Sequence, residues 1–237
     1  MMHAAAGVLF RDFPDSFLLF GGAALLLFYQ GVRHSADLDL LQRRGDRPTS
    51  GAVQSSIVNG LASAADALNL GPLQVDVSKD DTEMEVLVKS RNGSVLFKVD
   101  INRFGSVLES EVEEYSVSID EATDAQVKAA SRDFILLQKA ECFLLRRIVK
   151  VRDAFDIHQL RDVGATLSGT LKSQLADTLM AYEIEATDIA KRIEQIDEKH
   201  CVAELRSLLP STVFNSLAQE GFKPLRDALL DLYEEWL

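Results

Sequence analysis

The chain has 237 residues, of which 47% are hydrophobic and 7% aromatic, a composition that supports one large globular domain or two smaller ones. Its formal net charge of −12 opposes non-specific binding to nucleic acid or anionic lipid. Any polynucleotide partner must therefore bind to a limited part of the surface. The two cysteines, Cys142 and Cys201, lie far apart without metal-site spacing, which predicts buried thiols and excludes a disulfide scaffold.

The longest apolar stretch, residues 17–29, is shorter than the roughly 18 to 20 residues of a membrane helix and contains a glycine pair. The N-terminal residues lack the positive charge that precedes the apolar core of a secretory signal. We therefore expect a cytoplasmic protein without a membrane-spanning segment.

The first elements follow from turn signals and apolar periodicity. A short helix ends near Pro14, and the four apolar residues 17–20 predict a buried strand. Residues 23–29 predict a helix with Gly31 as its C-terminal cap, because alanine and leucine favour helix. Alternation over residues 36–40 predicts a strand with both aspartates on one face and both leucines on the other.

The rest of the first half predicts one helix and three strands. Residues 50–70 show helical spacing and end at Gly71. The predicted strands cover residues 73–77, 84–89 and 95–101, and an Asn-Gly hairpin joins the last two. Residues 109–124 hold seven acids and no Lys or Arg, which is typical of a solvated edge or loop.

From about Gln126 the pattern is helical almost throughout. The predicted helical stretches are residues 132–160, 168–194 and 201–237. The sequence therefore predicts an α+β protein, with a mixed α/β lobe over residues 1–125 and an α-helical lobe over residues 126–237.

Asp37 and Asp39 supply the strongest indication of metal chemistry. Two residues apart on a strand, both carboxylates project to the same side and can share hard cations such as Mg²⁺. Asp100 is the candidate third ligand and the candidate acceptor of a proton, because it falls on the polar face near the end of its strand. An Asp-X-Asp pair alone also occurs on surface strands, so the assignment depends on the glycines that precede it.

Phosphate binding is predicted at the turn before this pair. Gly21 and Gly22 allow the backbone to approach a polyphosphate, and the following helix directs free N–H groups towards it. Arg33 could pair with phosphate oxygens, and Ser35 could bind a phosphate or position the carboxylates. A tight strand-to-helix turn, a surface arginine and a strand-leading serine are the structural alternatives.

The helical half contains a second candidate group. Lys139, Arg146 and Asp153 are spaced seven apart, which on one helix places them along one stripe. In a functional interpretation Lys139 contacts the nucleotide phosphates, and Asp153 or Asp156 orients the lysine or assists the acceptor. A solvated charged face is the alternative interpretation of such a stripe. The densest basic patch of the chain lies here and comprises Arg146, Arg147, Lys150 and Arg152.

Four pieces together resemble a known family: Gly-Gly-Ala-Ala-Leu at residues 21–25, Arg-His-Ser-Ala-Asp-Leu-Asp-Leu at residues 33–40, Lys139, and Arg-Asp-Ala-Phe-Asp-Ile at residues 152–157. Their order is similar to that of AbiEii/AbiGii-type nucleotidyltransferases, the toxin halves of bacterial toxin–antitoxin and phage-defence systems in the DNA polymerase β-like superfamily. The resemblance covers about residues 16–160. It implies a polymerase β-like catalytic lobe with a mixed sheet, Mg²⁺, a nucleoside triphosphate donor, transfer of nucleotides to tRNA, and a cognate antitoxin as partner.

The resemblance also implies roles for individual residues. Asp37 and Asp39 would hold metal, and the glycine pair would flank the phosphates. Lys139 and Asp156 would match the later essential lysine and aspartate of the family, and Asp153 belongs to the same element. The first motif of the superfamily usually has serine after its glycine, where this chain has Gly22.

Two other functions compete with a tRNA-modifying enzyme. A small cationic acceptor such as an aminoglycoside suits the acidic chain better than tRNA, whereas the basic patch favours RNA. A catalytically silent module that binds nucleotide or a protein partner is the third hypothesis. The presence of Asp37, Asp39, Asp100 and Lys139 in one chain speaks against it.

Overall fold

The computed structural model describes residues 1–43, 47–79, 83–102, 109–120 and 123–237. The chain divides into two compact units. The sheet unit comprises Met1–Gln30 and Ser35–Ser131, and the helical unit comprises Gly31–His34 and Arg132–Leu237.

The sheet unit contains a mixed sheet. Its described strands are β1 (Phe17–Phe20), β2 (Asp37–Gln42), β3 (Gln74–Lys79), β4 (Glu83–Lys89), β5 (Val95–Asn102), β6 (Val112–Asp120) and β7 (Thr123–Ala130). They are ordered β3-β4-β5-β2-β1-β7-β6 across the sheet. Strand β2 runs parallel to β5, and β1 runs parallel to β7, while the other neighbouring strands are antiparallel.

The helices of this unit are α1 (Met2–Asp12), α2 (Gly21–Phe28), α3 (Ser50–Gly60) and α4 (Ala62–Ala67), with a 3₁₀ turn at Glu109–Glu111. Helix α1 packs against β6, β7 and α3. The central strands alternate as the sequence predicts: one face buries Leu38, Leu40, Val86, Val99 and Ile101 at no more than 1% exposure. The opposite face of the same strands therefore carries the polar side chains.

The structure confirms the five predicted strands of residues 17–102 to within three residues at each end. The predicted helix over residues 50–70 is interrupted at Leu61, which separates α3 from α4. Gln30, with φ of 56°, takes the left-handed conformation that we predicted for Gly31.

Of the two alternatives predicted for residues 109–124, a solvated edge or a loop, the structure has an edge, strand β6. This strand pairs with β7 on one side only and lies last in the order of the sheet, so it needs few apolar residues. Strand β7 begins before residue 126, where we predicted the helices to start. Its buried residues Ala125, Val127 and Ala129 alternate with polar ones, but two of the three are alanines, which also favour helix.

The helical unit is built from α5 (Arg132–Leu145), α6 (Val151–Asp162), α7 (Gly169–Ala181), α8 (Ala186–Glu194), α9 (Glu198–Leu205), α10 (Ser211–Gln219) and α11 (Lys223–Tyr233). Helix α6 packs against α5 and α11. The hydroxyl of the fully buried Tyr233 donates to the carbonyl of Ala140 at 2.8 Å, so the last helix is attached to α5. The segment Gly31–His34 joins this unit, where the His34 N–H donates to the Leu208 carbonyl at 2.8 Å.

The predicted single helix over residues 132–160 is two helices, separated by residues 146–150. No glycine or proline marks this break in the sequence. The guanidinium of Arg192 donates to the carbonyls of Phe143 and Arg146, both at 3.0 Å, and so satisfies the end of α5 from a distant part of the chain.

The sequence predicted no membrane-spanning helix and no disulfide. Among them, no helix is both long enough and apolar enough to cross a bilayer. Both cysteines are free thiols, with Cys201 buried and Cys142 half-buried. Burial raises the pKa of the Cys201 thiol to about 12, which keeps it protonated and unreactive.

Candidate functional site

The turn between β1 and α2 brings the predicted phosphate-binding glycines against the predicted metal pair. Gly21 begins α2 with φ of 67°, a left-handed conformation that disfavours other residues. A Cβ atom at this position would lie 2.5 Å from Oδ2 of Asp39, so the carboxylate occupies the space that a side chain would need. Phe20, the residue before the turn, is the register partner of Asp39. The sequence therefore requires glycine here for two separate reasons.

The three predicted metal-binding acids lie on two adjacent parallel strands. Asp37 and Asp39 are on β2, and the register pairs Asp39 with Asp100 on β5. All three residues are half-exposed, while their neighbours Leu38 and Val99 are fully buried on the other face. The structure thus places Asp37, Asp39 and Asp100 on one face of the sheet, as the alternation predicted.

A cation that we did not predict also lies on this face. Lys98 is the register partner of Asp37, and its Nζ is 2.7 Å from Oδ2 of Asp100 and 3.6 Å from Oε2 of Glu85. The hydrogen bond to Asp100 raises the pKa of Lys98, and the charges of Asp100, Asp37 and Glu85 add to this effect against partial desolvation. We call Asp37, Asp39, Asp100, Glu85 and Lys98 the carboxylate face.

The donor chemistry of this face suits a divalent cation. Carboxylate oxygens are the ligands that Mg²⁺ prefers, and three aspartates on adjacent strands can supply them. Among the described residues, however, no three His, Cys, Asp or Glu side chains converge closely enough to form a metal cluster. The positive charge beside Asp100 is instead the ammonium group of Lys98.

Ser35 contacts the backbone rather than a carboxylate. Its hydroxyl donates to the main-chain carbonyl of Asp37 at 3.3 Å, at the point where β2 begins. This contact positions the start of the strand that carries both aspartates.

The helical unit holds a second group of charges, which is nearly dehydrated. Arg33, Lys139, Asp153 and Asp156 are each no more than 8% exposed. Arg33 donates to both carboxylate oxygens of Asp156, from Nε at 2.8 Å and from Nη2 at 2.9 Å. Lys139 Nζ lies 2.7 Å from Oδ2 of Asp156 and 3.4 Å from Oδ1 of Asp153. Arg146 Nε lies 2.9 Å from Oδ2 of Asp153. We call these five residues the buried charge cluster, in which Arg146 forms the exposed rim with 37% of its side chain exposed.

Mutual attraction keeps Asp156 and Lys139 ionised despite their burial. Burial alone would raise the pKa of Asp156, but Lys139 and Arg33 outweigh it and hold that pKa below its usual value. Burial alone would lower the pKa of Lys139, but the charges of Asp156 and Asp153 outweigh it and raise that pKa. Because three cations face two carboxylates, the cluster carries one net positive charge.

The placement of the predicted residues differs in part from the sequence interpretation. Lys139, Asp153 and Asp156 lie together as expected, although α5 and α6 contribute them from two helices. Arg33, which we grouped with the glycine turn, belongs to the helical unit and binds Asp156. These two residues are 123 positions apart, so no local pattern could have revealed the pair.

The basic patch surrounds the break between α5 and α6. Within the described part of the chain, no carboxylate lies at ion-pair distance from Arg147 or Lys150, whereas Arg146 and Arg152 both face acids. Ile148 between them is 66% exposed. Arg147 also lines an open cavity of about 320 Å³ together with Tyr182, which is 64% exposed. An exposed aromatic ring beside a cation such as Arg147 is typical of surfaces that bind single-stranded nucleic acid, although the acids Glu183 and Asp188 line the same cavity.

Comparisons with known proteins identify the family and the fold. Residues 7–235 match the family described as nucleotidyl transferase AbiEii toxin, type IV toxin–antitoxin system. The protein JHP933 of Helicobacter pylori has a similar structure, with a TM-score of 0.57 and 20% identity, over 99% of this chain and 91% of that one. A protein of H. pylori described as a candidate nucleotidyltransferase gives a TM-score of 0.55 and 21% identity, over 99% of this chain and 93% of that one. No curated protein matches the sequence.

Proposed function

This chain belongs to the AbiEii family of nucleotidyltransferase toxins of type IV toxin–antitoxin systems, and we propose that it transfers a nucleoside monophosphate from a triphosphate to tRNA with the help of Mg²⁺. Nucleotidyltransferase activity and the α+β fold follow from the family and the similar structures. The metal, the tRNA acceptor and a role in defence against phage are the proposal. The observation that carries it is the register of Asp39 with Asp100 beside the Gly21 turn.

The carboxylate face supplies the groups that this reaction needs. Asp37 and Asp39, with Asp100 as third ligand, would hold Mg²⁺, which neutralises charge on the triphosphate and on the departing pyrophosphate. The acceptor hydroxyl oxygen forms a bond to the α-phosphorus as the bond to the bridging oxygen of pyrophosphate breaks. The Asp100 carboxylate is the base to which we assign the hydroxyl proton. Gly21 leaves room for Asp39 beneath the first turn of α2, whose N–H groups can bind phosphate oxygens.

In the helical unit, we propose that Asp153 and Asp156 hold Lys139 protonated and fixed in position. The contacts of Lys139 with both carboxylates and its raised pKa support this role. The predicted contact of Lys139 with nucleotide phosphates stays a prediction. A net positive charge on the cluster is what such a contact requires.

A specific observation supports each of two acceptors. Arg147 and Tyr182 line one cavity and Lys150 belongs to the same basic patch, so this surface offers cations and an aromatic ring to RNA. The formal net charge of −12 favours a small cationic acceptor such as an aminoglycoside as the second candidate. Because nucleoside triphosphates and tRNA are found in the cytoplasm, action there is part of the proposal, as is a cognate antitoxin.

The test is incubation with each of the four labelled nucleoside triphosphates, Mg²⁺ and total tRNA. We expect label in RNA with the wild type and none with Asp37→Asn. The matched control is Asp76→Asn, because Asp76 is an exposed acid on β3 that pairs with Lys89 outside the carboxylate face. Pyrophosphate release that requires an added aminoglycoside would instead establish the second acceptor. Tight nucleotide binding without turnover would contradict both.

A further inference from the structure

The carboxylate face holds four acids on neighbouring strands, and Lys98 is the cation that offsets their repulsion. Asp37 and Asp39 on β2, Asp100 on β5 and Glu85 on β4 project from neighbouring strands of one sheet, and Glu85 is the register partner of Asp100. Like charges on directly opposed strand positions destabilise a sheet. Lys98 lies between these strands and contacts both Asp100 and Glu85.

The ion pair of Lys98 with Asp100 differs from an ordinary surface salt bridge. The side chains of Lys98 and Asp100 are only 30% and 24% exposed, so water screens their charges less than at an open surface. Lys98 is also the register partner of Asp37 on β2, and its Nζ lies 3.6 Å from Oε2 of Glu85 on β4. Its single positive charge therefore acts on Asp37 and Asp100, two of the three carboxylates to which we assign the metal.

We propose that Lys98 is a positioning residue that serves as the resident counter-ion of the carboxylate face and competes with the divalent cation for Asp100. Without metal, Lys98 holds Asp100 and offsets the repulsion among the acids. Binding of a divalent cation requires Asp100 to exchange the Lys98 ammonium for the metal, and Glu85 remains as the partner of the lysine. The inference rests on the proposed function, because the metal site is the one assigned there.

The experiment measures Mn²⁺ binding to the full chain by calorimetry, with thermal unfolding recorded with and without Mn²⁺. We expect Lys98→Met to bind Mn²⁺ about tenfold more tightly than the wild type, because a repelling charge has been removed from a partly dehydrated site. Without Mn²⁺ the same variant should unfold at a lower temperature, and Mn²⁺ should raise its Tm by more than it raises that of the wild type. Lys98→Gln serves as a second variant should Lys98→Met fail to fold.

Two control variants separate charge from other effects. Lys98→Arg keeps the charge and should bind Mn²⁺ as the wild type does. Lys89→Met removes a cation from β4 that pairs with Asp76 outside the carboxylate face, and it should leave Mn²⁺ affinity unchanged. Equal Mn²⁺ affinity in the wild type and both neutral Lys98 variants would overturn the role of Lys98, as would weaker binding in them.

Failure of the inference can be distinguished from failure of the proposed metal site. A wild-type chain that binds no Mn²⁺, or an Asp37→Asn variant that binds Mn²⁺ as well as the wild type, would contradict the site itself. Binding that Asp37→Asn abolishes and Lys98→Met leaves unchanged would contradict only the inference.

Discussion

The carboxylate face and the buried charge cluster use the same kinds of side chains under opposite conditions. In the face, four acids meet one lysine, and the residues are half-exposed. In the cluster, two acids meet three cations, and Asp153 and Asp156 are at most 1% exposed. An excess of half-buried acids can exchange partners and, as we propose, bind a metal. Dehydrated ion pairs hold one arrangement because a lone charge there is costly. The comparison predicts that substitutions in the cluster lower stability and that substitutions in the face lower activity.

The largest effect on stability is expected from Asp156→Ala. This change leaves Arg33 and Lys139 buried without their shared carboxylate, which should lower the free energy of unfolding by about 3–5 kcal/mol. Urea denaturation followed by circular dichroism measures the loss. Asp177→Ala, at an exposed position in α7, is the control and should change stability by less than about 0.5 kcal/mol. A loss below about 1 kcal/mol for Asp156→Ala would contradict the structural importance of the cluster.

A smaller but substantial loss of stability is expected from Gly21→Ala. This change would alter the turn that lies against Asp39 of the carboxylate face. The positive φ and the contact of the new Cβ with Asp39 together should cost about 2–4 kcal/mol and abolish turnover. Gly93→Ala is the matched control, since Gly93 also has a positive φ but open space around its Cβ position. That variant should lose only about 1 kcal/mol, and equal losses in the two variants would contradict the steric argument.

The pH dependence of stability should reveal the cluster at both ends of the scale. The folded pKa of Asp156 is lowered, so its contribution is present above the unfolded pKa of about 4 and is lost as pH falls through the folded value. The folded pKa of Lys139 is raised, so its contribution is present below the unfolded pKa of about 10.4 and is lost as pH rises through the folded value.

Each loss follows a slope of at most about 1.4 kcal/mol per pH unit for one proton. Unfolding free energies measured from pH 2 to 11 should show both slopes in the wild type. The acid slope should be shallower in Asp156→Asn. An identical acid slope in that variant would refute the assignment to Asp156.

The smallest effect on stability is expected from Asp37→Asn, which should abolish nucleotide transfer. Its side chain is half-exposed and faces other acids, so neutralising it should change the free energy of unfolding by no more than about 0.5 kcal/mol. Urea denaturation of this variant beside Asp156→Ala compares the two regions directly. A loss of several kcal/mol in Asp37→Asn would remove the distinction between them.

Sequence patterns predicted the strand face on which the three aspartates lie, because alternation along a strand is local. Alternation within residues 36–40 and 95–101 suffices to place Asp37, Asp39 and Asp100 on the polar side of buried strands. The same alternation places Lys98 there, but a lysine on a polar face has no distinctive sequence signal. The sequence could not distinguish strand β6 from a loop, because an edge strand tolerates the acids that normally indicate a loop.

The cluster was predicted only in part because its geometry is not local. The spacing of Lys139, Arg146 and Asp153 indicated a shared stripe. The end of α5, however, is satisfied by Arg192, which lies 46 residues after Arg146. The ion pair of Asp156 with Arg33 depends on a segment from the other end of the sequence, 123 positions away. Such contacts arise from tertiary packing, which periodicity does not encode.

Because Gly31–His34 belongs to the helical unit, that unit is discontinuous in the gene. A fragment expressed from residue 132 onwards would lack the Arg33 fork and leave Asp156 with Lys139 as its remaining cation. Any dissection of the protein into separately produced halves must therefore carry this tetrapeptide along, for instance as a tethered peptide fused ahead of α5. The same discontinuity makes exchange of one unit between homologous genes unfavourable. Gly31–His34 and α6 would have to be exchanged together.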